Sequence, residues 1–250
     1  KKIRSTIIFD AGKIFNISEK KLINICAAVE CIHSYSLIHD DLPCMDNDTI
    51  RRGKPATHIK FGEASAVLAG SSLLTLAFEI IVDKKYLLNP KAKNEIIKSL
   101  ASCSGHTGIA GGQELDLKFE NKKKGIKEII DMQKKKTGKL FNFCLHAVGV
   151  VSKKNVKDKL FLSNLGEEIG LLFQLADDFL DYNGSKKLLG KPVKKDHKKG
   201  KSTLVSLMGE KKAYLFANNL KRKILRKLKK HGKSARELIS TIEFILERKF

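Results

Sequence analysis

Proline is scarce in this 250-residue sequence: there are four, at positions 43, 55, 90 and 192, each where a helical pattern is due to stop or bend. Alternating strand patterns are nearly absent. Cysteine is limited to an odd five (Cys26, Cys31, Cys44, Cys103, Cys144) with no Cys-x-x-Cys pair, which argues against a disulfide framework and for reduced thiols in a cytoplasmic protein. No apolar run reaches the roughly 18 residues of a membrane span, because Asn24, Glu30, His33 or Gln174 interrupts the densest ones. No signal peptide is visible, yet the chain opens at Lys1 inside "KKIRSTIIFDAGKIF", so an N-terminal segment is expected to be missing.

Acid is also in short supply, with 27 Asp and Glu against 49 Lys and Arg and a formal net charge of +22. Such an excess raises the expectation of an anionic partner: nucleic acid, a membrane surface or a phosphorylated small molecule. Lysine far outnumbers arginine, and aromatic residues are not interleaved with the basic runs as a stacking platform for bases needs. Most of the lysines therefore read as solvated helix faces, and nucleic acid is not expected.

What the sequence does contain is helical periodicity. Apolar positions recur every three or four residues near 18–42, 63–83, 91–118, 125–151, 157–182, 203–230 and 234–249, which predicts an all-α protein. Several of these segments are apolar nearly all round, the mark of central burial in a large bundle. There is no internal repeat, long polar linker or shift in composition, so residues 1–250 read as one domain.

Against this basic background two acidic clusters stand out. "HDDLPCMDND" gathers Asp40, Asp41, Asp46 and Asp48 at the end of an apolar helical run. Pro43 makes simple continuation of that helix improbable, and a bulge there would bring Asp46 back beside Asp40. In "LGEEIGLLFQLADDFLDYNG", Gln174, Asp177, Asp178 and Asp181 fall within roughly 100° of arc on one face of a helix otherwise fit for the core. Carboxylates about 5 Å apart repel by roughly 1 to 3 kcal/mol per pair, so a cation is expected among them. Oxygen ligands without nearby cysteine suit Mg²⁺, which takes one or two carboxylates, waters and phosphate oxygens. Basic loops follow both clusters: "TIRRGKPATHIKFG" with Arg51 and Arg52, and "GSKKLLGKPVKKDHKKGKSTL". Arginine's planar fork suits phosphate. The "GKST" at 200–203 is not a P-loop, since the required upstream glycine is Lys195 and no strand precedes it.

These stretches resemble the motifs of the trans-isoprenyl diphosphate synthases. "HDDLPCMDND" with "IRRGKPATH" is similar to the first aspartate-rich motif of that family, and "FQLADDFLD" with "LGKPVKKDHKKGKST" to the second. "GGQELDL" and "KKKTGKLF" match in the family's order, and the resemblance spans the whole chain. It implies an all-helical bundle around a deep central cavity, usually a homodimer, that condenses an allylic diphosphate with isopentenyl diphosphate. Asp40, Asp41, Asp46, Asp177, Asp178 and Asp181 would hold three Mg²⁺ on the allylic diphosphate, gripped also by Arg51, Lys136, Lys191 and Lys201. Lys1, Arg4, His33 and Arg52 match positions that bind isopentenyl diphosphate, with Thr137, Gln174, Gln113 and Asp116 in support. Tyr35 and Ser36, just upstream of the first aspartates, match the positions that set product length. A ring at 35 resembles the bacterial farnesyl diphosphate synthases, and a longer-chain geranylgeranyl product is the alternative. Two departures stand out: Ser5 follows "KKIR" where proline is usual, and Ser71 replaces the aspartate of "AGD". A competing reading from another class is a basic helical protein that binds nucleic acid or membrane through Lys221, Arg222, Lys223, Arg226, Lys227, Lys229 and Lys230.

Overall fold

The computed structural model describes residues 2–183 and 202–247. Its centre is α8 (Lys139–Val151), on which Leu140, Phe141, Phe143, Cys144, Leu145, Ala147 and Val148 are all buried. Each of the leucine, phenylalanine and valine side chains among them contributes on the order of 1.5 to 3 kcal/mol by leaving water. Around α8 pack α1 (Ile3–Ile14), α5 (Pro90–Ser104) and the long α9 (Val156–Asn183), while α2 (Ile23–Asp40) lies along α4 (Glu63–Val82). The remaining helices are α3 (Thr57–Phe61), α6 (Ile109–Phe119), α7 (Ile126–Gln133), α10 (Leu204–Met208), α11 (Glu210–Lys229) and α12 (Arg236–Glu247). This is the expected all-α, single-domain helical bundle.

The periodic segments break where local chemistry dictates. Residues 91–118 divide into α5 and α6 at Gly105–Gly108. α5 itself begins at Pro90, with the Asn89 side chain accepting from the Ala92 amide at 2.8 Å as an N-cap. Residues 203–230 divide at Gly209, whose φ of 76° ends α10. Residues 3–14, which the periodicity argument does not pick out, form α1. Burial of Ile7, Ile8 and Ala11 drives it, and Thr241 of α12 donates to Asp10 at 2.6 Å. The basic loop after the first acidic cluster contains a two-stranded ribbon, β1 (Ile50–Arg51) with β2 (Lys54–Pro55), turned by Arg52 and Gly53 at φ 54° and 76°.

One expectation is corrected. By length and composition alone, α4 is long and apolar enough to cross a membrane. Its small residues Ala66, Gly70 and Ala77 are buried against the bundle, whereas Val67, Leu68, Leu76 and Val82 are exposed. It is a bundle helix with one bare apolar face.

Candidate active site

Asp40 closes α2, and the chain then curls back on itself. The Asp46 amide donates to the Asp40 carbonyl at 2.8 Å, Asn47 to Leu42 at 3.0 Å and Asp48 to Asp41 at 3.1 Å, with Asn47 at φ 49°. This is the bulge expected from Pro43, and it sets Asp46 beside Asp40. Burial, and then the neighbouring Asp46 and Asp41, push the Asp40 carboxyl up to about 6 against the opposing pull of Lys136 and Arg51.

Asp41 faces elsewhere. Arg51 Nε donates to both of its carboxylate oxygens at 3.0 and 3.1 Å, the Arg51 Nη2 also reaches it, and Asp48 stands 3.5 Å from that same Nη2. Asp41, one of the six aspartates expected to hold metal, is thus engaged by an arginine. The ribbon turn at Arg52–Gly53 presents that arginine.

On α9 the second cluster has a different surrounding. Gln133 Nε2 donates to one oxygen of Asp178 and Gln174 Nε2 to the other, both at 3.0 Å, and Thr137 Oγ1 donates to Gln174 Oε1 at 2.9 Å. Asp178 and Asp181 are buried. Both of these donors to Asp178 are neutral amides, which orient a carboxylate without adding positive charge. Gln133 is the residue that the motifs do not flag, although its place one helical turn before Thr137 is a usable signal.

A single turn of π-helix, Lys134–Gly138, interrupts α7 and α8 and delivers Lys136 and Thr137 to the site. It is held by close approach of α6, since a Cβ on Gly112 would lie 2.2 Å from the Lys136 amide nitrogen. Lys136 Nζ donates to Asp116 at 2.6 Å and acts electrostatically on Asp40.

The basic residues converge. Burial pushes His33 down to about 2, reinforced by Arg4, Arg52 and Arg51, so it is a neutral ring among three guanidinium groups. Arg4 is buried, lies 4.9 Å over the Phe141 ring, and its Nε has no hydrogen-bond partner among the described residues. Burial lowers its pKa, while Glu30 and Asp177 act in the opposite sense. A pocket of about 220 Å³ beside this cluster is lined by residues including Asp41, Arg51, Arg52 and Thr57. A buried guanidinium with an unpartnered Nε and two more guanidinium groups beside it is a setting for an anion.

Gln113 is buried with neither amide atom partnered among the described residues. Ser36 donates to the His33 carbonyl at 3.0 Å, and Tyr35 packs half-buried against the core. Lys1, Lys191 and Lys201 lie outside the described residues.

No three His, Cys, Asp or Glu side chains among the described residues converge into a metal site built of protein alone. The donor set still fits Mg²⁺ well. Each cluster offers oxygen atoms only, Asp40 and Asp46 crowd each other, and Mg²⁺ characteristically completes its shell with water and phosphate.

The Polyprenyl synthetase family model matches residues 1–243. The chain belongs to that family. Among its curated relatives, the farnesyl diphosphate synthase of Escherichia coli (strain K12) is 39% identical over 254 residues, covering 99% of this chain and 85% of that protein. Among solved structures, an FPP/GFPP synthase from Zymomonas mobilis matches with a TM-score of 0.88 at 38% identity, over 98% of this chain and 83% of that one. A geranyltransferase from Helicobacter pylori, solved with magnesium and isoprenyl diphosphate, matches with a TM-score of 0.87 at 32% identity, over 99% and 83%. As a polyprenyl synthetase, the chain belongs to a family whose members are in general Mg²⁺-dependent.

Proposed function

We propose that this chain is a prenyltransferase that condenses dimethylallyl or geranyl diphosphate with isopentenyl diphosphate to give farnesyl diphosphate. One observation carries the reading: Lys136 acts on Asp40 of the first acidic segment, and Arg4, clustered with His33 and Arg52, acts on Asp177 of the second. The π turn joins the two segments directly, since Thr137, next to Lys136, donates to Gln174, which in turn donates to Asp178.

In this reading Asp40, Asp46, Asp177, Asp178 and Asp181 hold three Mg²⁺, which when bound stabilise negative charge on the leaving diphosphate. Lys136 and Arg51 hold the allylic diphosphate, together with Lys191 and Lys201. Asp41 orients Arg51 through its paired contacts. Arg4 and Arg52 receive the diphosphate of isopentenyl diphosphate, with neutral His33 as a hydrogen-bond partner and Lys1 alongside. Thr137 fixes Gln174, and Asp116 holds Lys136 in place.

The allylic C–O bond breaks with its electron pair leaving on the diphosphate. The alkene of isopentenyl diphosphate supplies the pair for the new C–C bond, and a proton is then lost to the departed diphosphate. Apolar side chains keep water from the cation. Tyr35 is assigned as the floor that ends growth at fifteen carbons. The exposed face of α4 (Val67, Leu68, Leu76, Val82) is assigned to a second copy of the chain, giving a homodimer. The whole of 1–250 acts as one synthase domain, and the five free thiols fit a cytoplasmic protein.

Product analysis with geranyl and isopentenyl diphosphates tests this. A C15 product that disappears on chelation is expected. A C20 product would keep the reaction and overturn the assignment of length, and no product from folded protein would overturn both.

A further inference from the structure

His39 is the residue before the first aspartate, yet its ring takes no described part in the acidic cluster. It bridges two other features. Its Nε2 lies 3.1 Å from the Val67 carbonyl on α4, a contact that requires the proton on Nε2 because a carbonyl only accepts. Its ring stands edge-on to Tyr35, one helical turn earlier, with centroids 5.3 Å apart and planes at 86°.

The opposite wall is Gly70. A Cβ there would lie 2.2 Å from His39 Nε2 and 2.3 Å from Cδ2. Those atoms belong to the ring that makes the hydrogen bond to Val67, so a Cβ at Gly70 would displace it. α4 therefore presents to His39 a slot made of one carbonyl and one missing side chain. Tyr35 is held in turn between the core it packs against and the edge of that ring.

We propose that His39 and Gly70 form a specificity-determining clamp: α4 fixes the His39 ring, and the His39 ring fixes Tyr35 as the floor of the chain-growth cavity. This rests on the assignment of Tyr35 made above. It places part of product-length control on α4, outside the residues upstream of the aspartates, and makes His39 a positioning residue that acts through Tyr35.

The test is the product distribution of the full-length enzyme from dimethylallyl and isopentenyl diphosphates, for wild type, Tyr35→Ala, His39→Gln, Gly70→Ala and the double variant Tyr35→Ala/His39→Gln. Losing an edge-to-face ring contact, or displacing the ring, is expected to raise the C20-to-C15 ratio about two- to tenfold in His39→Gln and in Gly70→Ala. His39→Gln is expected to add nothing to Tyr35→Ala, the non-additivity that marks action through a shared residue. Because the ratio is internal to each reaction, a change in overall rate does not move it.

Longer products from Tyr35→Ala but unchanged ratios in both His39→Gln and Gly70→Ala would overturn the clamp and leave the floor standing. No lengthening in Tyr35→Ala would remove the floor and the clamp together. Loss of all turnover in both single variants, with the fold retained by circular dichroism, would assign His39 to the adjacent carboxylates and overturn the proposal.

Discussion

Asp41 of the first acidic segment and Asp178 of the second are held by different kinds of partner. In the first, on a curled loop, Asp41 is neutralised by the fork of Arg51, and Asp40 is left crowded by Asp46. In the second, on a straight helix, Asp178 is bracketed by the neutral amides of Gln133 and Gln174. An arginine cancels charge, whereas an amide only orients it. In the proposed function this contrast separates roles that the sequence leaves merged: Asp41 aims a phosphate-binding arginine, while Asp40 and the α9 carboxylates are the proposed reserve of charge for cations.

The largest effects come from removing that reserve. Asp40→Ala and Asp177→Ala are each expected to lower kcat by at least about 10²- to 10³-fold with unchanged circular dichroism. Near-normal turnover in either would break the shared role proposed for the two segments. Lys136→Ala removes a cation shared by Asp116 and the proposed diphosphate, so kcat/KM for the allylic substrate is expected to fall about 10- to 100-fold in steady-state kinetics. KM for isopentenyl diphosphate should move much less.

Asp41→Asn sharpens the contrast from the other side. It removes the charge of the closer partner of Arg51 and leaves Asp48 at 3.5 Å, so chemical denaturation is expected to show a loss of about 1 to 2 kcal/mol, below the range for fully buried pairs because the Arg51 side chain is 27% exposed. Gln133→Ala leaves charge untouched but loosens Asp178, so apparent Mg²⁺ affinity in activity titrations should weaken about tenfold with little change in melting temperature.

The smallest effect is on pH. The Asp40 carboxyl titrates near 6, above its ordinary 3.8, so in metal-free enzyme it favours the folded state at low pH. That contribution is lost as pH rises through about 6. Mg²⁺ needs the carboxylate, so its affinity should fall as pH drops below about 6. Melting curves with and without Mg²⁺ across this range would show the two opposite slopes.

Much of this was legible in the residues. The apolar helices, the acidic stripe on α9 and the return of Asp46 to Asp40 follow from periodicity and from Pro43. The π turn at Lys134–Gly138 did not, because its position depends on the backbone of α6 meeting Lys136 at Gly112, a contact between segments distant in sequence. For the same reason α1 depends on the core it enters rather than on its own pattern. The partners that divide the aspartates by role, Arg51 and Gln133, likewise reach them across 10 and 45 residues.

In the proposed function both segments serve one shared metal and diphosphate cluster. Calorimetric titration of Mg²⁺ into wild type, Asp40→Ala and Asp177→Ala, with and without inorganic diphosphate, tests it directly. Binding of several ions only when diphosphate is present, lost in both variants, is the predicted result. Full diphosphate-dependent binding in either variant would contradict it, since one segment alone would then be sufficient.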